Sequence, residues 1–285
     1  MKKILLTGSS GMLGNYIVKL LEDNGDFKII SPARLEFNIS DTHKIEAYIK
    51  EIKPDVIFHL AAETNVDLCE TNPKHALIAN SLSVEKISKI ANELSSYLVF
   101  ISTSNVFGAK SSLKYNELDM PDPVNYYGKS KYKAENFITQ NNIANSLIIR
   151  AGWMIGGGAE RDKKFVGKII QQIKDGNTSI KAVGDKYGTI TMASSLAKFI
   201  IKSTQDKLIG TYHYSSQGLL TRHEIAKIIL KELKCNASLL ETKSCQFPLP
   251  APRPLSEGIE SLYLDEKDGI RHYEEDLHEY IKEFK

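Results

Sequence analysis

The octapeptide TGSSGMLG at residues 7–14 follows directly on the apolar run KILLTG at 2–8 and opens an amphipathic stretch. Gly8 lets the chain turn sharply off a buried strand, Gly11 lets backbone approach an anion, and Gly14 lets the following helix pack close to the sheet. The helix start then offers free N–H groups and the positive end of its dipole. A strand, a glycine turn and a helix in that order predict a dinucleotide pyrophosphate site at the head of a βαβ unit.

The first half keeps the matching rhythm. Apolar runs at 2–8, 27–32, 55–62, 97–104 and 145–152 read as buried strands. Between them, apolar residues three and four apart predict helices over roughly 12–24, 41–52, 74–95 and 126–141. Strands that are apolar nearly throughout and separated by helices predict a parallel sheet covered on both faces, a doubly wound α/β fold with ligands beyond the carboxyl ends of its strands. After residue 152 the regularity loosens into a glycine-rich loop (GWMIGGGAERDKKF), a turn-rich stretch (KAVGDKYGTITM) and a proline-rich one (QFPLPAPRPL). TRHE at 221–224 is a capping-box pattern opening an apolar-periodic helix over 225–233.

Charge and cysteine content narrow the partners. With 37 basic against 35 acidic residues, a net charge of +2 and no basic stretch, neither nucleic acid nor a membrane surface is an expected partner. Cys69, Cys235 and Cys245 are odd in number and lack C-x-x-C spacing, which predicts no disulfide framework and a reducing cytoplasm. The run Ile4–Leu6 is too short for a signal-peptide core, and no apolar run is long enough to span a bilayer. The seven histidines are scattered without ligand spacing, so no metal is expected.

The stretch NYYGKSK at 125–131 carries the chemistry. Tyr127 and Lys131 are four apart and share a helix face, whereas Tyr126 has Ser130 at that offset. A lysine beside a phenol is expected to lower its pKa and ready it for proton transfer. The hydroxyl-rich strand end ISTSN lies 24 residues before Tyr127, so Thr103 or Ser102 can meet it at the sheet's ligand edge. Beyond the second strand, Ser31 and Arg34 stand where an acidic residue would favour NAD; Arg34 is suited to a 2′-phosphate, while Glu36 stands close by.

Together TGSSGMLG, LAAETNVD, ISTSNVFG, YYGKSKYKAE and RAGWMIGG, in this order, resemble the extended short-chain dehydrogenase/reductases over essentially the whole chain. More narrowly, AAETNVDLCETNP, VGDKYGTIT and PAPRPLSEGI are similar to segments of the dTDP-4-dehydrorhamnose reductase branch. The resemblance implies a doubly wound Rossmann-type parallel sheet with a smaller C-terminal substrate-binding lobe. Residues 1–152 would form the dinucleotide-binding domain with a returning segment near 190–215, and residues 153–285 mainly the lobe.

It implies Tyr127 as proton donor, Lys131 on the nicotinamide ribose, and Thr103 on the substrate carbonyl. The cofactor set would be Gly8, Ser10, Gly11, Met12, Leu13, Gly14, Ser31, Arg34, Asn38, Ile39, Leu60, Ala61, Ala62 and Ser102 besides Tyr127 and Lys131. Thr64, Asn65, Val66, Thr103, Trp153 and Arg253 would border the substrate, and Asn80 would brace the core near the site. NADP is the expected cofactor with NAD as the alternative, a nucleotide sugar the expected partner, and a homodimer the candidate assembly.

Two stretches depart from the branch. Ser104-Asn105 stands where it usually carries Asp-Tyr, and GGGAERDKKF is longer and richer in glycine. Both bear on the substrate, which leaves an NAD-dependent sugar-nucleotide epimerase and a non-catalytic dinucleotide-binding regulatory subunit as alternatives. A dehydratase is disfavoured, because no Asp-Glu pair follows Thr103.

Overall fold

A computed structural model describes residues 2–22, 27–110 and 112–284. In its first half, β1 (Lys2–Thr7), α1 (Met12–Glu22), β2 (Phe27–Ile30), α2 (Thr42–Ile52), β3 (Val56–His59), α3 (Val66–Thr71), α4 (Pro73–Leu77), α5 (Ser83–Glu93), β4 (Tyr97–Thr103), α6 (Tyr126–Gln140) and β5 (Ser146–Ala151) follow in order. The remainder runs through β6 (Trp153–Ile155), α7 (Gly158–Arg161), α8 (Phe165–Lys174), β7 (Ser179–Val183), β8 (Tyr187–Gly188), β9 (Ile190–Met192) and α9 (Ala193–Asp206). It ends with β10 (Gly210–Tyr214), β11 (Leu220–Thr221), α10 (Arg222–Glu232), β12 (Ser238–Thr242), β13 (Ser256–Glu257) and α11 (Tyr273–Lys282). Residues 23 and 24, the expected end of the first helix, lie outside the described residues.

Six strands pair in parallel in the order β10-β5-β4-β3-β1-β2. Alternation along each strand feeds two cores. Ile4, Leu6, Val56, Phe58, Val99, Leu147 and Ile149 pack on one face with α1 and α9. Leu5, Ile57, Leu98, Phe100 and Ile148 pack on the other with α2, α5 and α6. This two-sided burial explains the nearly unbroken apolar strands. The chain reverses direction across the sheet between β1 and β3, which opens the crevice where such folds bind ligands.

A separate core gathers Ile155, Ile169, Ile180, Ile225, Ile229, Leu277 and Tyr280 from α8, α10, α11 and the short strands around them. The capping box forms as the sequence predicts: Thr221 Oγ1 accepts from Glu224 N at 3.1 Å, and Glu224 Oε2 accepts from Thr221 N at 2.6 Å. The 74–95 stretch differs from one regular helix. It holds a π-helical turn at Ile78–Leu82 between α4 and α5, with Asn80 fully buried on it. The helical repeat of apolar residues is blind to an extra residue of this kind.

No helix among the described residues is long and apolar enough to cross a membrane.

Candidate active site

A cavity of about 990 Å³ opens at the carboxyl ends of β1, β2, β3 and β4 and continues to residues of α10 and β13. Its first wall is the glycine loop. Gly8 has φ +76, and a Cβ there would come within 2.8 Å of Ala61 N. A Cβ on Gly14 would lie 2.3 Å from Gly8 O, so α1 seats against the loop only because residue 14 has no side chain. Ser10, Gly11, Met12 and Leu13 line the same wall, as do Leu60, Ala61 and Ala62 beyond β3 and Ser102 at the end of β4. The buried Ser102 Oγ has no hydrogen-bond partner among the described residues. An exposed backbone cradle at a helix start and an unpartnered hydroxyl fit a dinucleotide.

Ser31, Arg34 and Ile39 line the cavity past β2. Glu36 does not compete there, because its Oε2 accepts from Ala33 N at 3.0 Å. Asn38 and Asn65 depart from expectation: neither lines the cavity. Asn38 Oδ1 accepts from Ser40 N at 3.0 Å, and Asn65 Oδ1 caps α3 by accepting from Leu68 N at 3.0 Å. A short amide so close to its own backbone is spent on the turn.

Deeper in, the structure brings together Tyr127, Lys131 and Thr103. Helical phase separates the two tyrosines. Tyr127 faces the cavity, while Tyr126 is 43% exposed and packs its ring under the Lys129 ammonium at 5.0 Å. Asn125 Oδ1 caps α6 by accepting from Gly128 N at 2.9 Å, which fixes where Tyr127 emerges. Thr103 Oγ1 accepts from Asn105 N at 3.2 Å and hydrogen-bonds the Tyr127 phenol.

The phenol is shifted opposite to expectation. Burial pushes the Tyr127 pKa up to about 12, with the Thr103 hydrogen bond pulling down and the charges of Glu257 and Glu63 pushing further up. The Lys131 ammonium sits over the Phe100 ring at 4.1 Å, and burial lowers its own pKa to about 7, against the pull of Glu135. In this state Tyr127 is a protonated acid at neutral pH.

Asn80 ties the π-helical turn to this helix. Its Nδ2 donates to Ser130 Oγ at 3.1 Å and to Glu63 O at 2.9 Å, while its Oδ1 accepts from Glu63 N at 2.8 Å. One helical turn beyond Lys131, Glu135 takes a bidentate contact from Arg150 on β5, at 3.1 Å to Nε and 2.7 Å to Nη2. Arg150 Nη1 donates to His213 Nε2 at 3.2 Å, and His213 Nδ1 donates to the Tyr115 and Glu260 carbonyls. This buried line runs from the helix of Tyr127 to β10.

Thr64, Val66, Trp153 and Arg253 line the other end of the cavity. Arg253 is gripped by Asp67, Nη2 lying 3.1 and 3.0 Å from its two oxygens, so it bridges the proline-rich segment to α3. Cys69 is fully buried with its thiol pushed up to about 11 by burial, an inert packed sulfur. Among the described residues no group of three or more His, Cys, Asp or Glu is arranged to hold a metal ion.

A family model described as RmlD substrate binding domain matches residues 1–285. The chain belongs to this family. A crystal structure of dTDP-4-dehydrorhamnose reductase from Yersinia enterocolitica is 47% identical with a TM-score of 0.97, and covers 100% of both chains. A dTDP-4-dehydrorhamnose reductase from Bacillus anthracis, in complex with NADP, is 27% identical with a TM-score of 0.91 over 99% of each chain. In sequence, the dTDP-4-dehydrorhamnose reductase of Salmonella typhimurium is 30% identical over 264 residues, 88% of this chain and 87% of that protein. This RmlD-family chain is thus an extended short-chain dehydrogenase/reductase, an NAD(P)-dependent oxidoreductase.

Sequence reasoning missed several cavity residues of this family member. Arg222 stacks its guanidinium on Trp153 at 3.8 Å and near Phe165 at 5.0 Å. Burial lowers its pKa to about 10, so it stays charged at neutral pH, with Glu257 favouring the charged form. In the sequence Arg222 shows only as the second letter of a capping box. Lys164 lines the cavity with Arg222 and Arg253. Glu63, His75 and Glu257 also line it; His75 Nε2 lies 3.3 Å from Glu63 Oε2. No spacing rule joins Glu63 to Glu257, 194 residues later.

Proposed function

We propose that this protein uses NADPH to reduce the C4 ketone of a dTDP-4-dehydro-6-deoxyhexose, dTDP-4-dehydrorhamnose to dTDP-rhamnose first among them. The observation that carries the reading is one continuous cavity. It begins at the glycine loop, passes Tyr127, Lys131 and Thr103, and ends at Arg222, Arg253 and Lys164. That order suits a dinucleotide, a ketone and a diphosphate in turn. The NADP complex of the Bacillus anthracis reductase supports the choice of cofactor, and the exposed Arg34 at the cavity beyond β2 is suited to the 2′-phosphate.

Bound NADPH supplies a hydride from its nicotinamide ring to the sugar carbonyl carbon. Tyr127 hands its phenolic proton to the carbonyl oxygen as charge develops there. Thr103 donates a hydrogen bond to that oxygen, so two donors are aimed before reaction at the atom that becomes anionic. Ser102 Oγ and Lys131 hold the nicotinamide side, and the cations at the far end anchor the diphosphate, which sets the ketone in line.

The test is NADPH oxidation on mixing the protein with dTDP-4-keto-6-deoxy-L-mannose, with NADH and the variants Tyr127→Phe and Arg34→Ala alongside. Turnover that prefers NADPH, falls by about 10²-fold or more in Tyr127→Phe and loses its NADPH preference in Arg34→Ala supports the reading. NADPH binding without turnover of any keto-sugar nucleotide overturns it in favour of a regulatory role. A tightly retained NAD with no net NADPH consumption would mark an epimerase.

A further inference from the structure

We propose that Glu257 reads a ring hydroxyl of the bound sugar, between the reacting carbonyl and the anomeric carbon, and that Asn105 aims it; this rests on the nucleotide-sugar reading above. Glu257 comes from β13, is half-buried and lines the cavity. Its Oε2 accepts from Asn105 Nδ2 at 2.6 Å, and its Oε1 takes no hydrogen bond among the described residues. Asn105 is itself fixed: its Oδ1 accepts from Asn125 Nδ2 at 3.1 Å, and Asn125 is the residue that caps α6. A line of side-chain amides therefore runs from the start of the Tyr127 helix to one carboxylate oxygen and leaves the other unused.

The position of Glu257 along the cavity supplies the ligand chemistry. Glu257 lines the same cavity as Tyr127, Arg222 and Arg253 and is tied through Asn105 to the start of the Tyr127 helix. Its charge is felt by both Tyr127 and Arg222, so it lies within reach of the proton donor and of the cations that suit a diphosphate. A hexose with C4 at Tyr127 and its anomeric phosphate near Arg222 carries C2 and C3 between the two. Hydroxyls on those carbons are donors, and an ionised carboxylate is an acceptor-only group that takes short, strong bonds from them. A carboxylate on a partly dehydrated wall needs compensation, which the Asn105 amide and the Arg222 guanidinium provide. A sugar lacking the matching hydroxyl leaves Oε1 dehydrated and unpaired, and is selected against.

The experiment is calorimetric titration of dTDP-rhamnose and of dTDP into NADP-saturated wild type and Glu257→Gln. The amide keeps the size of the side chain and still accepts from Asn105. Expected is a loss of roughly tenfold or more in affinity for dTDP-rhamnose, with dTDP and NADP affinities unchanged within about twofold. Equal weakening of both nucleotides would overturn the inference by moving Glu257 to the diphosphate end. Unchanged affinity for both would overturn it outright. A wild type that binds neither nucleotide sinks the nucleotide-sugar reading itself, and this inference with it.

Discussion

Replacing Glu135 by Gln tests whether the helix of Tyr127 is held by charge. Glu135 is 2% and Arg150 6% exposed. The guanidinium donates three hydrogen bonds to the carboxylate and one to the neutral His213. Gln keeps the shape but offers one carbonyl acceptor in place of two charged oxygens, which leaves a buried cation without its counter-charge. Breaking such a pair from one side costs about 3–5 kcal/mol. For a chain of this length that is a fall in Tm of roughly 6–10 °C, at about 2 °C per kcal/mol.

A second readout is functional. Glu135 favours the charged form of Lys131, whose pKa is already down at about 7. Its loss lowers that pKa further and moves the alkaline limb of the kcat/KM profile to lower pH. Urea melts and pH–rate profiles of wild type, Glu135→Gln and the double variant Glu135→Leu/Arg150→Leu make the comparison. The double variant should lose less than the single one, because no lone charge remains buried. A Glu135→Gln protein within about 0.5 kcal/mol of wild type, where ordinary surface substitutions fall, would refute the reasoning.

Two further predictions follow from the packing. A Cβ at residue 14 would press on backbone atoms, Gly8 O at 2.3 Å and Ser9 Cα at 2.7 Å; Gly14→Ala should therefore cost about 1–3 kcal/mol and weaken NADPH binding, read by cofactor fluorescence, by tenfold or more. The neutral buried histidines set an acid limit: burial lowers the pKa of His59 to about 3 and of His213 to about 4. Between these values and about 6.5 the unfolded chain binds more protons than the folded one, so stability is full above pH 6.5 and declines as pH falls. Urea melts at pH 7.5 and 5 should differ by on the order of 2 kcal/mol per histidine, and equal stabilities at the two pH values would contradict the assignment.

The parallel sheet was legible because its strands are buried on both faces, which leaves short apolar runs that differ in length from the helical patterns between them. The choice of Tyr127 over Tyr126 was legible for a similar reason: one residue is 100° of helix, and only Tyr127 shares a face with Lys131. Polar residues near the ligand edge were less readable. Asn38 and Asn65 have the right chemistry and address, but their amides serve the backbone two and three residues on. The direction of the Tyr127 shift also escaped, since i,i+4 spacing says nothing of the burial that raises the phenol's pKa. Arg222 and Glu257 reach the cavity through tertiary packing alone, and no local pattern announces such residues.

The order of strands in the sheet also sets an order in time. β5 ends at Ala151, yet its outer neighbour β10 spans Gly210–Tyr214. On a ribosome adding about 5–20 residues per second, the residues of β10 emerge roughly 3–13 s after those of β5. Throughout that interval the nascent sheet has a bare edge of unpaired N–H and C=O groups, flanked by Leu147 and Ile149, which are fully buried in the finished protein. β10 thus serves the growing chain as a closing strip as well as the last strand of the sheet. A stop within α9 would release a polypeptide that carries the glycine loop and Tyr127 but keeps its edge open to pairing with another copy.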